Sequence, residues 1–385
     1  MRRMFTSMLT TVSISLSLFA ILALSILALS AAAVPAQAQA AATLAPTGIA
    51  VTSVGPTSAA ASSALLADGT LILLQRNQPI ALPASNKPIA LKAEQYGGQA
   101  SGNYKLGVRY DASGAPGTVT LLLVDNGSGQ TKPIPQGAGL SNPAVTWKRD
   151  GSGVAFYDFP AANKTTASTI LYYDVASNQT RVLVTIAAKQ AATPVAWSPD
   201  GRFLIYLVGS TDSANTNDVK PFLFDTQTSK STPLPPDALT FLLWARSSKG
   251  FFVQGGDVTK NTSQLIYYSI DTLNAPKTLT PANTNDYLVA ASPDGKRLVV
   301  TASSTAANAA QIANLYIMDS DGGNRKALTA FKAADQSVTA LVWGAAGIYY
   351  SLSGANGDAT TWRVNLDGSN AQQIAVGTLL DVVGS

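Results

Sequence analysis

The sequence has no cysteine and no histidine, and Glu94 is its single glutamate. Without thiols there are no disulfides, no thiolate nucleophile and no lipid attachment through cysteine. Without imidazole there is no Ser-His-Asp relay, and structural zinc loses its usual ligands. No Gly-x-Ser-x-Gly elbow occurs, and the carboxylate pair of a glycosidase would have to come from aspartates, about half of which stand at repeated turns. Charge is scarce: 12% of the residues are charged and the formal net charge is +4, part of it from Arg2 and Arg3 at the extreme N-terminus. The 26 Lys and Arg are scattered among 22 acids with no basic run, which argues against the clustered basic face of a nucleic-acid binder. No cofactor or metal is expected from this residue set.

What is present is apolar material in quantity. Of 385 residues, 46% are hydrophobic, ample for one large domain or two ordinary ones and incompatible with global disorder. Residues 13–34 form an apolar span behind Arg2 and Arg3, followed by the small residues Ala36-Gln37-Ala38. This reads as a Sec-type signal peptide over residues 1–40, or as an uncleaved membrane anchor, since about 20 apolar residues can span a bilayer. Either reading puts the remainder outside the cytoplasm: periplasmic, extracellular or held on the outer side of the membrane. Residues 41–63 are rich in Ala, Thr, Ser and Pro and read as a flexible spacer, with a weak strand at Ile49–Val54 as the competing reading.

From residue 64 onward apolar residues alternate in short runs. Val195–Leu207, VAWSPDGRFLIYL, is a hairpin written in sequence: a strand ending in Trp197, a Ser-Pro-Asp-Gly turn, and a strand through Phe203, Ile205 and Leu207. Pro199 presets φ, Asp200 can bond nearby backbone, and Gly201 tolerates positive φ. Related hairpins carry Trp147, Trp244 and Trp343, and a fifth keeps the turn but has Ala291 in the tryptophan's place. The interval is about 49 residues with four short strands per unit, the period of a β-propeller.

The Ser-Pro-Asp-Gly hairpins at 198–201 and 292–295, with LYIMDSDGGNRKALT at 315–329, resemble the repeats of TolB-like β-propellers, relatives of the WD-repeat group. The resemblance covers residues 144–376 well and 64–135 loosely, and it implies a fold more than an activity. The all-β fold expected over 64–385 is a propeller of seven four-stranded blades, or six if 64–82 is not a blade. In the seven-bladed reading the C-terminal strand at 378–383 supplies the inner strand of a blade completed by three strands within 64–82. Such closure removes open sheet edges.

Each candidate site has a structural competitor. The repeated tryptophans read as wedges between neighbouring blades, and the turn aspartates Asp150, Asp200 and Asp294 as turn formers. Asp319-Ser320-Asp321-Gly322-Gly323-Asn324 begins like a calcium loop, but its twelfth position is Ala330 and Asp367-Gly368-Ser369-Asn370 stands at the same point of the next unit, so a turn is expected. Variation collects in the loops between second and third strands, at 159–169, 209–220, 254–264, 302–313 and 353–361. In a meander these fall on one face of the ring, a natural binding surface on a rigid scaffold. Its ionisable members are Asp158, Lys164, Asp212, Asp218, Lys220, Asp257, Lys260 and Asp358. The expectation is a non-catalytic propeller that binds a protein or glycan of the cell envelope. Two alternatives stand beside it: an aspartate-based glycosidase or lyase at the channel mouth, and a self-assembling envelope component. The oligomeric state is not legible.

Overall fold

The computed structural model describes residues 70–75, 78–83, 89–90, 106–125, 128–159, 166–211, 218–256, 262–304, 312–332, 337–353 and 359–382. All belong to the compact unit Gly48–Ser385. The signal or anchor segment and the 41–63 spacer lie outside the described residues.

Twenty-seven described strands, numbered in chain order, form seven antiparallel sheets. Blade 1 holds β1 (Leu71–Gln75), β2 (Gln78–Leu82) and β3 (Ile89–Ala90), and blade 2 holds β4 (Leu106–Asp111), β5 (Thr120–Asp125) and β6 (Thr131–Pro133). Blade 3 is β7 (Pro143–Trp147), β8 (Gly153–Asp158), β9 (Ser168–Asp174) and β10 (Gln179–Ile186). Blade 4 is β11 (Gln190–Trp197), β12 (Phe203–Ser210), β13 (Lys220–Asp225) and β14 (Lys230–Pro233). Blade 5 is β15 (Phe241–Trp244), β16 (Gly250–Gly255), β17 (Gln264–Ser269) and β18 (Lys277–Thr278). Blade 6 is β19 (Thr284–Ala291), β20 (Arg297–Ser304), β21 (Asn314–Asp319) and β22 (Lys326–Ala327). Blade 7 is β23 (Ser337–Gly344), β24 (Gly347–Ser353), β25 (Ala359–Val364) and β26 (Gln372–Val376).

The last strand, β27 (Thr378–Val382), returns to pair antiparallel with β1, with Leu71 opposite Val382 and Leu73 opposite Leu379. Its partners are the first strand of the fold, so the ring is closed by its two ends, as the apolar C-terminal run predicts. Six sheets have four strands and blade 2 has three among the described residues. One expectation needs correction. Only two described strands lie within 64–82, and the blade is completed by β3 at 89–90. The reason is that β1, from Leu71, pairs directly with β27, so β1 is the second strand of the blade, β2 the third, and the outer strand comes after Leu82.

Both faces of most second strands are covered, because each blade is sandwiched between two others. Phe203 to Val208 are all buried, as their unbroken apolar run Phe-Leu-Ile-Tyr-Leu-Val requires of a strand covered on both faces. Trp147, Trp197, Trp244 and Trp343 are each 5–6% exposed. Each lies in a cluster that joins its own blade to the preceding one: Trp147 with Leu121 and Leu123, Trp197 with Ala155 and Tyr172, Trp244 with Phe203 and Leu223, Trp343 with Val299 and Ile317. The indole of Trp197 donates to the Thr146 carbonyl at 3.3 Å and that of Trp244 to the Ala196 carbonyl at 3.3 Å. The tryptophans are therefore wedges that also tie one inner strand to the next.

The Ser-Pro-Asp-Gly turns are built twice alike. Gly201 and Gly295 have φ of 69° and 70°, and Asp200 and Asp294 accept the amides of Arg202 and Lys296 at 3.0 Å. Ser198 and Ser292 donate to those carboxylates and accept the amides of Phe203 and Arg297, both at 2.9 Å. The 319–324 segment is a turn as well: Asn324 donates to Asp319 and the Gly323 amide to Asp321, with Gly322 at φ 93°. Its counterpart has Gly368 at φ 89° and Asn370 at φ 53°, the same value as Asn324.

Candidate functional site

On the loop face, three of the eight sequence-derived residues are described. Asp158 ends β8 and accepts the amides of Ser141 and Asn142 at 2.8 and 3.0 Å, so it pins the connection from blade 2 to blade 3. Asp218 and Lys220 form an exposed ion pair at 3.3 Å at the start of β13. Lys164, Asp212, Asp257, Lys260 and Asp358 lie outside the described residues. The described flanks of the loops are anchored. Tyr157 and Ser168 share a hydroxyl bond of 2.7 Å across the base of the first loop. The Ser263 amide donates to Asn285 at 2.9 Å, and its hydroxyl to the Asp286 carbonyl, joining the base of the third loop to blade 6.

Sequence reasoning missed Asp286. It is 2% exposed and bonds the Arg325 guanidinium at 2.7 Å and the Thr284 hydroxyl at 2.7 Å. A buried carboxylate needs such partners. Its only signal in the sequence is an acid inside a strand, which alternation hides.

The opposite face, made of the short first and third turns, is rich in carboxylates that are already spent as acceptors. Asp225 takes a two-pronged bond from Arg202, Nε at 3.1 Å and Nη2 at 2.8 Å, which holds its pKa at about 2. Asp174, Asp294 and Asp367 are lowered by nearby serine hydroxyls and backbone amides. A group held ionised in this way is a poor general acid. Among the described residues no three acidic side chains converge as a metal site would require.

The same face carries a cleft of about 510 Å³ between blades 5 and 6. Phe252, Leu279, Ala291 and Leu298, all buried, line its floor, Tyr267 forms a wall, and Arg246, Lys277, Asp294 and Asp321 stand around the mouth. A second depression of about 430 Å³ on blade 3 is lined by Lys148, Tyr172, Asp174 and Arg181 among others and has no such apolar floor. Lys148 there sits 5.0 Å from the Tyr172 ring and 5.1 Å from the Trp197 ring, and burial lowers its pKa.

No family model matches the sequence, and no curated protein matches it. Solved structures do. A prolyl endopeptidase is similar at 17% identity with a TM-score of 0.52, covering 71% of this chain and 42% of its own. Dipeptidyl peptidase 4 of Porphyromonas gingivalis is similar at 13% identity with a TM-score of 0.51, covering 82% of this chain and 54% of its own. TolB from Acinetobacter baumannii matches at 15% identity over 80% of both chains, with a TM-score of 0.42. This chain thus spans about half the length of the two peptidases. At these identities the likeness concerns the fold: the protein is a β-propeller.

Proposed function

We propose that this propeller is an exported, non-catalytic scaffold that binds a protein or glycan of the cell envelope through its loop face. The observation that carries the reading is the asymmetry between the two faces. On one, the turns are short, repeated and closed by their own serines and aspartates; on the other, dissimilar loops rich in Asn, Thr, Ser and Gly stand on anchored bases. A rigid ring with one variable face suits recognition. Export rests on the basic and apolar N-terminus and the small residues after it. The non-catalytic reading is supported by the missing His and Cys and by turn carboxylates that are kept ionised. Joint alanine replacement of Asp212, Asp218, Lys220, Asp257 and Lys260 should abolish capture of the envelope partner while the melting temperature stays within a few degrees. Retained capture by that folded variant would remove the loop face from the account.

A further inference from the structure

Blade 5 repeats the local construction of blade 3 at the edge where a wedge tryptophan enters. In blade 3, Gly153 lies under Tyr172, whose ring packs edge-on against Trp197 of blade 4 at 5.6 Å. In blade 5, Gly250 lies under Tyr267 in the same way, and at either glycine a side chain would run into the tyrosine hydroxyl. The ladders match too: Arg181 stands opposite Tyr172, and Lys277 opposite Tyr267. What differs is the visitor from the next blade. Where Trp197 covers Tyr172, blade 6 offers Ala291. Tyr172 is accordingly 4% exposed, whereas Tyr267 remains partly exposed on the wall of the cleft. Phe252, in the place of Ala155, fills part of the vacated space from below, with its ring centroid 5.2 Å from that of Tyr267. The cation that covers the filled slot, Lys148, is replaced by Ala245, which widens the entrance.

We propose that the cleft between blades 5 and 6 is a docking slot for the indole side chain of a tryptophan on a partner polypeptide. The ring would lie against Tyr267 over Ala291, as Trp197 lies against Tyr172. All five tryptophans of the chain hold described positions outside the cleft lining, the four wedges and Trp362 in β25, so none can come from elsewhere in the same chain. A second copy is a poor donor, since its wedge tryptophans are buried and its Trp362 is packed against the core between blades 6 and 7 with the indole N–H donating to Thr360 at 2.9 Å. Arg246 and Lys277 at the mouth add cations that can face the ring or the carbonyls beside it. The site lies on the turn face and is independent of the loop face.

The test is titration of N-acetyl-L-tryptophanamide into the folded full chain, followed by ligand-observed NMR, with N-acetyl-L-leucinamide as the comparison. Saturable binding with a Kd on the order of 1 mM is expected for the tryptophan probe, a size-appropriate affinity for one ring. The leucine probe should bind about tenfold more weakly. Ala291→Trp should fill the slot and abolish binding with an unchanged or higher melting temperature. Tyr267→Leu, which removes the ring the indole lies against while keeping the wall apolar, reads the same loss should the first variant fail to fold. Absence of saturable binding by the unmodified chain, or undiminished binding in a folded variant, would overturn the proposal.

Discussion

Single residues do two kinds of work in this ring, closing turns and tying charges down. Asp225 is the clearest charge. Its pKa of about 2 in the fold lies below the ordinary 3.8 because Arg202 and nearby donors favour the carboxylate. The fold is therefore stabilised by this group above about pH 4, and the contribution is lost as the pH falls towards 2. Asp225→Asn should melt lower than the unmodified chain at pH 7, and the gap should close across that window; an equal gap at both ends would show that the pair has no such role. At the turns, Gly295 is held at φ 70° with the Arg246 side chain 2.9 Å from where a Cβ would stand. Gly295→Ala is expected to lose about 1 to 2 kcal/mol in chemical denaturation, from left-handed strain alone. Asp158, drawn from the sequence as a binding residue, takes two backbone amides. Asp158→Ala should cost about 2 kcal/mol, measured the same way, whatever its role in recognition.

At the scale of strands, the repeat was legible because every blade needs the same three things at the same places: a wedge, a turn and a covered second strand. Trp147, Trp197, Trp244 and Trp343 with the short Gly-containing turns that follow them supplied these signals, and the TolB-like resemblance of the hairpins implied the propeller that is observed. Outer strands were less legible. β3, β18 and β22 are two residues long, and β18 and β22 are exposed, so they have no periodicity to read. That is why the fourth strand of blade 1 was expected too early. The cleft was half visible: Ala291 broke the tryptophan pattern, but its consequence depends on Tyr267 and Phe252 in the neighbouring blade, and pairings between blades are not written in local sequence. Two element-level outcomes follow. Trp244→Ala should cost about 3 to 5 kcal/mol in chemical denaturation, since it empties a wedge packed against Phe203 and Phe251. Ending the chain at Gly377 removes β27, unburying Leu71 and Leu73 and opening the edge of β1. That variant should lose its cooperative transition or aggregate.

At the scale of the whole described unit, the protein is a ring closed by the pairing of β1 with β27, with one face of uniform turns and one of variable loops. Uniform turns are what a repeat needs in order to stack, so most of the sequence variation falls on the other side. Of the described large apolar side chains only Val182 and Val376 are exposed, both on outer strands. The most direct measurement is photo-crosslinking in the native envelope from a reactive residue placed at position 220 on the loop face, against the same residue at position 177 in a turn of the opposite face. The account predicts one defined adduct from position 220 and none of that species from position 177. The same adduct from both positions, or none from position 220, would contradict it.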